Sequence, residues 1–212
     1  IPATTAATVS FEYSNLDNRA SGNGDVWTYP RLVSIDNGYG GLLSYSYEND
    51  GRGNDSWYNY RVDQVTLDSG MSEPSSIALF KTYSYQNPEY SGIGGAPDLG
   101  NLIGYEMVTE STKNLAGTTS ILDVVHTFGV EDLDIGRELE TDWKDPSTGT
   151  IYRKQRFTYV TDNSEAPFED WNYRYLLEVE NFERFASGLL MTSKTVNQRD
   201  PETGNLTQML EY

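Results

Sequence analysis

A duplicated hairpin pattern constrains the fold of this chain more than any other feature of its sequence. The first copy consists of residues 31–35, a Gly-rich turn and residues 42–47, and the second of residues 61–65, a longer loop and residues 79–85. Each copy begins with an Arg-led apolar segment and ends in Tyr-Ser-Tyr, with apolar side chains at every second position. This alternation is typical of β-strands with one buried face. We expect the rest of the chain to repeat the hairpin with variations.

Turn signals recur along the chain and set the spacing of the predicted strands. The segment Asp145-Pro-Ser-Thr-Gly149 and its near copy Asp200-Pro-Glu-Thr-Gly204 each combine a Pro that presets φ with a Gly suited to a left-handed residue. Helical periodicity is weak, so a doubly wound fold is poorly supported. The sequence therefore predicts an all-β fold of about a dozen strands in sequential antiparallel hairpins. These would form a curved or coiled sheet, a sandwich or an open barrel.

The domain prediction is one all-β domain over residues 1–212. The loop at residues 86–101 holds Pro88, Pro97 and several Gly, and it has little periodicity. Long irregular stretches of this kind mark boundaries or functional loops, so a sub-boundary is placed there. Because the chain begins with Ile-Pro, we also expect it to be a processed product or a fragment of a longer protein.

Composition excludes several classes of function. The chain has 32 acidic and 15 basic residues and a net charge of −17, whereas nucleic-acid binding needs a basic surface. The same charge disfavours docking on an anionic membrane, and no apolar run reaches the roughly 20 residues of a membrane span, so we expect no membrane insertion. The absence of Cys rules out disulfides, thiolate metal sites and thiol nucleophiles.

The segment Asp200-Pro-Glu-Thr-Gly-Asn-Leu-Thr207 resembles the RHS/YD repeat of large secreted bacterial proteins. The hairpins at residues 31–47 and 61–85 are similar to the irregular RHS-like segments of those proteins, as is Gly136-Arg-Glu-Leu-Glu140 leading to Phe157-Thr-Tyr159. The resemblance implies a β-sheet strip that spirals into a shell, which encloses a cargo domain in polymorphic toxins and insecticidal complexes. It also implies a secreted or cell-surface bacterial protein. A complete shell needs several times this length, and the family's self-cleavage motif is absent.

Two groups of side chains resemble catalytic constellations. His126 is the only histidine and lies in an apolar row with Val124 and Phe128, where packing is the better interpretation than a triad or a metal site. Glu138, Glu140 and Asp142 are expected to share one strand face, and a glycosidase needs two carboxylates across a cleft. Pairing across the Asp145–Gly149 turn, however, sets Asp142 beside Lys154 and Glu140 beside Arg156. Cross-strand ion pairs explain the pattern, so we expect no catalytic residues and no enzyme.

Three acidic loops have the oxygen ligands that Ca²⁺ prefers, and Ca²⁺ is the one cofactor that the sequence leaves open. None of them has the helix–loop–helix ligand spacing, so solvated turns are favoured and no resident metal is expected. The residues are Asp17, Asn18, Asn23 and Asp25; Asn49, Asp50, Asn54 and Asp55; and Glu131, Asp132 and Asp134.

The leading hypothesis is a non-enzymatic RHS-like scaffold that builds a shell, sheath or filament. Open sheet edges are templates for another strand, so the partners would be further copies, as a homo-oligomer or polymer, or other parts of a larger RHS-like protein. The candidate contact residues are Ile1, Pro2, Val9, Phe11, Tyr13, Leu206, Leu210 and Tyr212. The alternative is a carbohydrate-binding module or an accessory domain of a secreted glycoside hydrolase. Its candidate sugar-stacking residues are Trp27, Trp57, Tyr58 and Tyr60.

Overall fold

The computed structural model describes residues 8–17, 28–49, 60–70, 77–90, 102–114, 116–130, 134–162, 173–199 and 205–212. Within them it confirms the all-β prediction, because these residues form β-strands and no α-helix. None of them therefore forms a helix suited to crossing a membrane. The strands are β1 Ser10–Asp17, β2 Thr28–Asp36, β3 Leu42–Asn49, β4 Tyr60–Asp68, β5 Ile77–Tyr90, β6 Leu102–Lys113, β7 Ser120–Phe128, β8 Glu138–Lys144, β9 Ile151–Asp162, β10 Tyr173–Phe185, β11 Gly188–Arg199 and β12 Leu206–Glu211.

The strands follow one another in the sheet in the order of the sequence. Across the described residues the order runs from β1 to β12, and strands that are neighbours in this order are hydrogen-bonded to each other. The ladders with assigned registers, such as β8 with β9 and β10 with β11, are antiparallel. Short turns favour this arrangement, since only antiparallel strands can be joined by tight hairpins.

The chain divides into two compact units. Unit 1 comprises Ile1–Ser84, Gly92–Asn101 and Glu110–Ile121. Unit 2 comprises Tyr85–Ser91, Leu102–Thr109 and Leu122–Tyr212. Strands β5 and β6 contribute to both units, so the division passes through strands.

Few hydrophobic side chains are buried. Among the described residues, those of Val124 and Val125 are the buried hydrophobic ones, at 7% and 9% exposure. They are adjacent on β7 and therefore point to opposite faces of the sheet. Most other strand side chains are half-buried on both faces, which differs from the expected single buried face. Cross-strand neighbours cover one another on each face, so packing is spread along the ladders rather than gathered in one core.

The predicted loop at residues 86–101 was wrong for its first five residues, because β5 continues to Tyr90. The strand passes Pro88 through an irregularity at Asn87, whose φ is 51°. The Asn87 side chain anchors this point, since its Nδ2 donates to Glu106 Oε2 of β6 at 2.6 Å. Residues 91–101 lie outside the described residues, and the sub-boundary there stays a prediction.

Two neighbouring loops of unit 1 are built on the same local motif. Asp36 Oδ1 accepts from Gly38 N at 2.7 Å, and Asp68 Oδ1 accepts from Gly70 N at 2.8 Å. Both aspartates are register partners of Leu42, so the two loops lie at the same end of their strands. A side-chain oxygen that accepts from the backbone two residues later forms an Asx-turn, which replaces a ladder bond where the strand ends.

Candidate functional site

The last strand, β12, is apolar on both faces and exposed. Leu206, Met209 and Tyr212 are 53%, 57% and 73% exposed, and Leu210 is half-buried. Leu210 is paired with Val196 and Met209 with Asn197, which places these two neighbours on opposite faces. Apolar side chains on both faces are typical of a central strand rather than of a protected edge.

The backbone of β12 has one edge bonded to β11 and one edge facing away from it. Lys194 and Tyr212 exchange two backbone hydrogen bonds, at 3.0 and 2.9 Å. In an antiparallel ladder bonded and non-bonded pairs alternate, so the amides of Glu211 and Met209 point away from β11. In the described part of the chain β12 is the last strand of the order, and its outer groups are placed to bind a further strand.

The first strand of the order, β1, carries the second candidate edge. The side chains of Val9, Phe11 and Tyr13 are about equally exposed, at 54%, 57% and 60%. Phe11 is paired with Ile35 and Tyr13 with Leu32, so this row continues the apolar side chains of β2. The predicted contact residues Ile1 and Pro2 lie outside the described residues.

One face of unit 2 carries a ladder of ion pairs across β8 and β9. Lys154 Nζ lies 2.5 Å from Glu140 Oε1 and 3.3 Å from Asp142 Oδ1. Lys144 Nζ approaches the other Asp142 oxygen at 3.3 Å. The predicted pairs are confirmed, since Asp142 is the register partner of Lys154 and Glu140 that of Arg156. Asp142 is buried, so this pair is held in place more firmly than a surface ion pair.

The ladder continues through β10 to β11. Arg156 bridges Glu140 and Glu180, at 3.6 and 3.7 Å, and Lys194 binds Glu178 and Glu180, at 2.7 and 3.7 Å. The hydrogen bond that Lys194 Nζ donates to the Glu178 carboxylate raises the pKa of Lys194. Acidic and basic side chains therefore face each other across neighbouring strands of this face. Their charges compensate one another, and the ion pairs hold the strands together.

The opposite face of unit 2 carries uncharged polar side chains in register. Gln155 Nε2 donates to Asn181 Oδ1 at 2.8 Å, and Asn181 Nδ2 donates to Ser193 Oγ at 2.9 Å. Thr141 is the register partner of Gln155 and extends this row to β8. Ladders of hydrogen bonds between amide side chains hold strands in one register, because a shift by one residue would break every bond at once.

The prediction that Glu138 shares a face with Glu140 and Asp142 was wrong. Between β7 and β8 the register shifts, so that Thr127 pairs with Glu140 but Phe128 pairs with Glu138. The extra residue, Leu139, forms a β-bulge that turns Glu138 to the other face. The three carboxylates therefore do not converge.

Glu138 instead binds His126 and Thr141. Its Oε1 lies 2.5 Å from His126 Nδ1 and accepts from Thr141 Oγ1 at 2.5 Å. His126 also stacks on Phe128, with ring centroids 6.3 Å apart. Thr141 bonds the carboxylate rather than the imidazole, so the geometry differs from a nucleophile–base–acid relay. The sequence showed His126 in its apolar row but did not indicate its carboxylate partner.

The Asp145 turn between β8 and β9 is held by a dense set of hydrogen bonds. Asp145 Oδ1 accepts from Ser147 N, Ser147 Oγ and Thr148 N, and Oδ2 accepts from Tyr152 Oη at 2.9 Å. These bonds favour the carboxylate, the Ser147 hydroxyl first among them, and lower the pKa of Asp145 from 3.8 to about 2.

We expect this turn to lose stability in acid over a defined range. Because the pKa of Asp145 is lower in the folded chain, its contribution is present above its ordinary value of 3.8 and is lost as the pH falls towards 2. Ser147→Ala should move that loss to higher pH, and Tyr152→Phe should do so less. Amide hydrogen exchange of β8 and β9 between pH 2 and pH 5 measures it. Identical profiles for Ser147→Ala and the unmodified chain would contradict the assignment.

The alternative sugar-binding residues are not brought together by the described structure. Tyr60 begins β4, pairs with Asn49 and is half-buried. Trp27, Trp57 and Tyr58 lie outside the described residues. The same holds for most of the predicted Ca²⁺ ligands, and the described residues contain no group of three or more His, Asp or Glu side chains arranged to hold a metal. Both predictions remain untested.

The strand order and the paired ladders define the class of fold as an all-β sheet of sequential antiparallel hairpins, which is consistent with the RHS-like sheet expected from the sequence. The chain is similar to the crystal structure of TcdB2-TccC3-TEV, with 12% identity and a TM-score of 0.62 over 88% of this chain and 12% of that chain. It is similar to that of TcdB2-TccC3, with 11% identity and a TM-score of 0.61 over 86% of this chain and 12% of that chain. No protein-family model matches, and comparison with curated proteins by sequence finds no match. The likeness therefore concerns the fold, and this chain spans a small part of the structures that it matches.

Proposed function

We propose that this chain is a non-enzymatic structural segment of an RHS-like scaffold on the bacterial cell exterior. Its role is to extend a β-sheet by strand addition at β1 and β12, and further copies of the chain supply the neighbouring strands. The observation that carries the proposal is β12, whose exposed apolar side chains occupy both faces beside an edge that points away from β11.

Burial supports the same role. A domain that functions alone gathers its apolar side chains in a core, whereas the described residues bury only Val124 and Val125 among their hydrophobic side chains. Large apolar side chains at 50% exposure or more, including Phe11 and Met209, gain most from a neighbouring strand that covers them. Neither β1 nor β12 contains Lys or Pro, the residues most used to protect edges from pairing, and their charged side chains are those of Glu12, Asp17 and Glu211.

The ladders of unit 2 explain how such a sheet keeps its register without a deep core. Ion pairs run from Glu140 to Lys194 on one face, and amide hydrogen bonds from Gln155 to Ser193 on the other. Each ladder couples a strand to the next, so strands added at the edge extend a surface whose register is already set.

We expect the purified chain to self-associate, and Met209→Lys to prevent it. A Lys on an edge strand resists pairing because association would bury or crowd its charge. Size-exclusion chromatography with light scattering over a range of concentrations measures the mass, and negative-stain images show the form of the assembly. If the unmodified chain remains monomeric at every concentration, the proposal is overturned.

The matched control is Ile121→Lys. Ile121 is 60% exposed, close to the 57% of Met209, but it belongs to β7 in the interior of the strand order. The substitution adds the same charge and removes a similar apolar surface without touching an edge. Assembly should persist in this variant. If both variants lose assembly equally, the association is non-specific and not strand addition.

A further inference from the structure

The loop between β2 and β3 brings together a backbone amide, a carboxylate and a side-chain carbonyl, the groups that an intramolecular acyl transfer requires. It runs from Asn37 to Gly41, and Asn37–Gly40 are exposed. We propose that Asn37 is a site of spontaneous covalent modification, at which its side-chain amide is lost through a cyclic imide formed with the backbone nitrogen of Gly38. This inference is independent of strand addition at β1 and β12.

The nucleophile and its base are in contact. Gly38 N donates to Asp36 Oδ1 at 2.7 Å. A backbone amide attacks a carbonyl only as it loses its proton, and a carboxylate at hydrogen-bond distance is positioned to accept that proton. Gly38 has no side chain, so nothing on its Cα hinders the ring closure. Asp36 therefore acts as the base.

The electrophile is held by two donors. Asn37 Oδ1 accepts from Tyr39 N at 2.8 Å and from Gly41 N at 2.9 Å. Negative charge develops on this oxygen when the nitrogen of Gly38 attacks Asn37 Cγ, and two fixed N–H groups stabilise it as an oxyanion hole does. The side chain is also packed against Gly41, where an added Cβ would lie 3.1 Å from Asn37 Cγ and overlap its amide nitrogen. The side-chain amide of Asn37 is thus held in one orientation before the reaction begins.

The step balances without any oxidant or reductant. A bond forms between Gly38 N and Asn37 Cγ, and the proton of Gly38 N passes to the Asp36 carboxylate. The bond from Cγ to Nδ2 then breaks, and the leaving nitrogen takes that electron pair and a proton and departs as ammonia. Solvent water opens the cyclic imide at either carbonyl, which yields aspartate or isoaspartate and one additional negative charge.

The isoaspartate product would alter the hairpin itself. Asn37 N donates to Gly41 O at 3.0 Å, and this bond closes the turn beside the Asp36–Leu42 pair. Isoaspartate lengthens the main chain by one carbon at that residue, so the closing bond is lost. Modification therefore loosens the end of β2 and the start of β3.

The test is incubation of the full chain at mildly alkaline pH, followed by peptide mapping by mass spectrometry and enzymatic methyl labelling of isoaspartate. Asn37 should be converted faster in the folded chain than in the same chain unfolded in urea, because the donors and the base are assembled only by folding. An equal or slower rate in the folded chain would overturn the proposal.

Asp36→Asn is the matched variant. The Asn oxygen still accepts from Gly38 N and preserves the turn, but it cannot take the proton, so conversion at Asn37 should be slowed by about tenfold or more. Asn23, which also precedes Gly, serves as the reference within the same chain, and its rate should not change. An unchanged rate at Asn37 in Asp36→Asn would show that the carboxylate takes no part.

Discussion

Gly70→Ala should cost unit 1 about 3 kcal/mol of local stability, the largest effect of any single substitution proposed for this chain. Gly70 has a φ of +73°, which an L-residue with a Cβ adopts at a cost. An added Cβ would also overlap the carbonyl oxygen of Gly40 and lie 2.6 Å from its carbonyl carbon. Both Gly40 atoms belong to the backbone, so the overlap cannot be relieved by the movement of a side chain. Amide hydrogen exchange of β3 and β4 measures the loss.

Gly149→Ala separates the cost of the positive φ from the cost of the overlap between an added Cβ and the backbone. Gly149 has a φ of +71°, but an added Cβ there meets no atom within 4 Å. Its cost should therefore be only the conformational part, about 1 kcal/mol, read from the exchange of β8 and β9. Equal losses in the two variants would mean that the Gly40–Gly70 approach contributes nothing and that the loops of unit 1 separate without penalty.

Lys154→Met should destabilise unit 2 by about 2–3 kcal/mol, because it removes one of the two cations that pair with the buried Asp142 carboxylate and also the cation that lies 2.5 Å from Glu140. The Asp142 side chain is 10% exposed and that of Lys154 is 16% exposed, so water replaces the lost cation poorly. Asp142 Oδ1 accepts no hydrogen bond, and Lys154 Nζ is its ion-pair partner at 3.3 Å. Urea denaturation followed by the exchange of β8 and β9 measures the effect.

Arg156→Met is the control on the same strand and face. Its side chain is 51% exposed and its ion pairs are 3.6 and 3.7 Å long, so the cost should be about 0.5 kcal/mol or less. The double variant Asp142→Leu with Lys154→Met should recover part of the stability, since an apolar pair replaces two buried charges, while Glu140 keeps only Arg156 and Lys144 loses Asp142. A loss in Lys154→Met no larger than that in Arg156→Met would contradict the argument.

The pairing of β8 with β9 could be predicted from the sequence because a turn signal joins two strands whose opposite charges face each other. Those charges set Asp142 beside Lys154 and Glu140 beside Arg156, as observed. The turn alone does not fix this register, since it closes between Asp145 and Thr150, and an irregularity between Trp143 and Lys144 shifts the pairing by one residue. The all-β class followed in the same way, from turn residues at regular spacing between alternating segments.

Irregularities within strands could not be predicted in this way. Glu138 is two residues from Glu140, and simple alternation sets both on one face, but the Leu139 bulge separates them. The bulge depends on how β8 fits the strand beside it, where Phe128 pairs with Glu138. Asn87 is a similar case. Its positive φ and its hydrogen bond to Glu106 let β5 continue beyond Pro88, although a proline usually predicts the end of a strand.

The order of turns and alternating segments determined by itself that this chain forms sequential antiparallel hairpins, because those signals act over a few neighbouring residues. Only the tertiary structure decided which face each side chain occupies after a bulge, that Glu138 binds His126, and that Lys154 joins two carboxylates. These outcomes depend on contacts between residues of different strands, and a local sequence pattern does not indicate which residues the neighbouring strand places opposite. The small number of buried hydrophobic side chains in the described sheet could not be predicted either. It depends on which strands lie beside each other and not on how many apolar residues they contain.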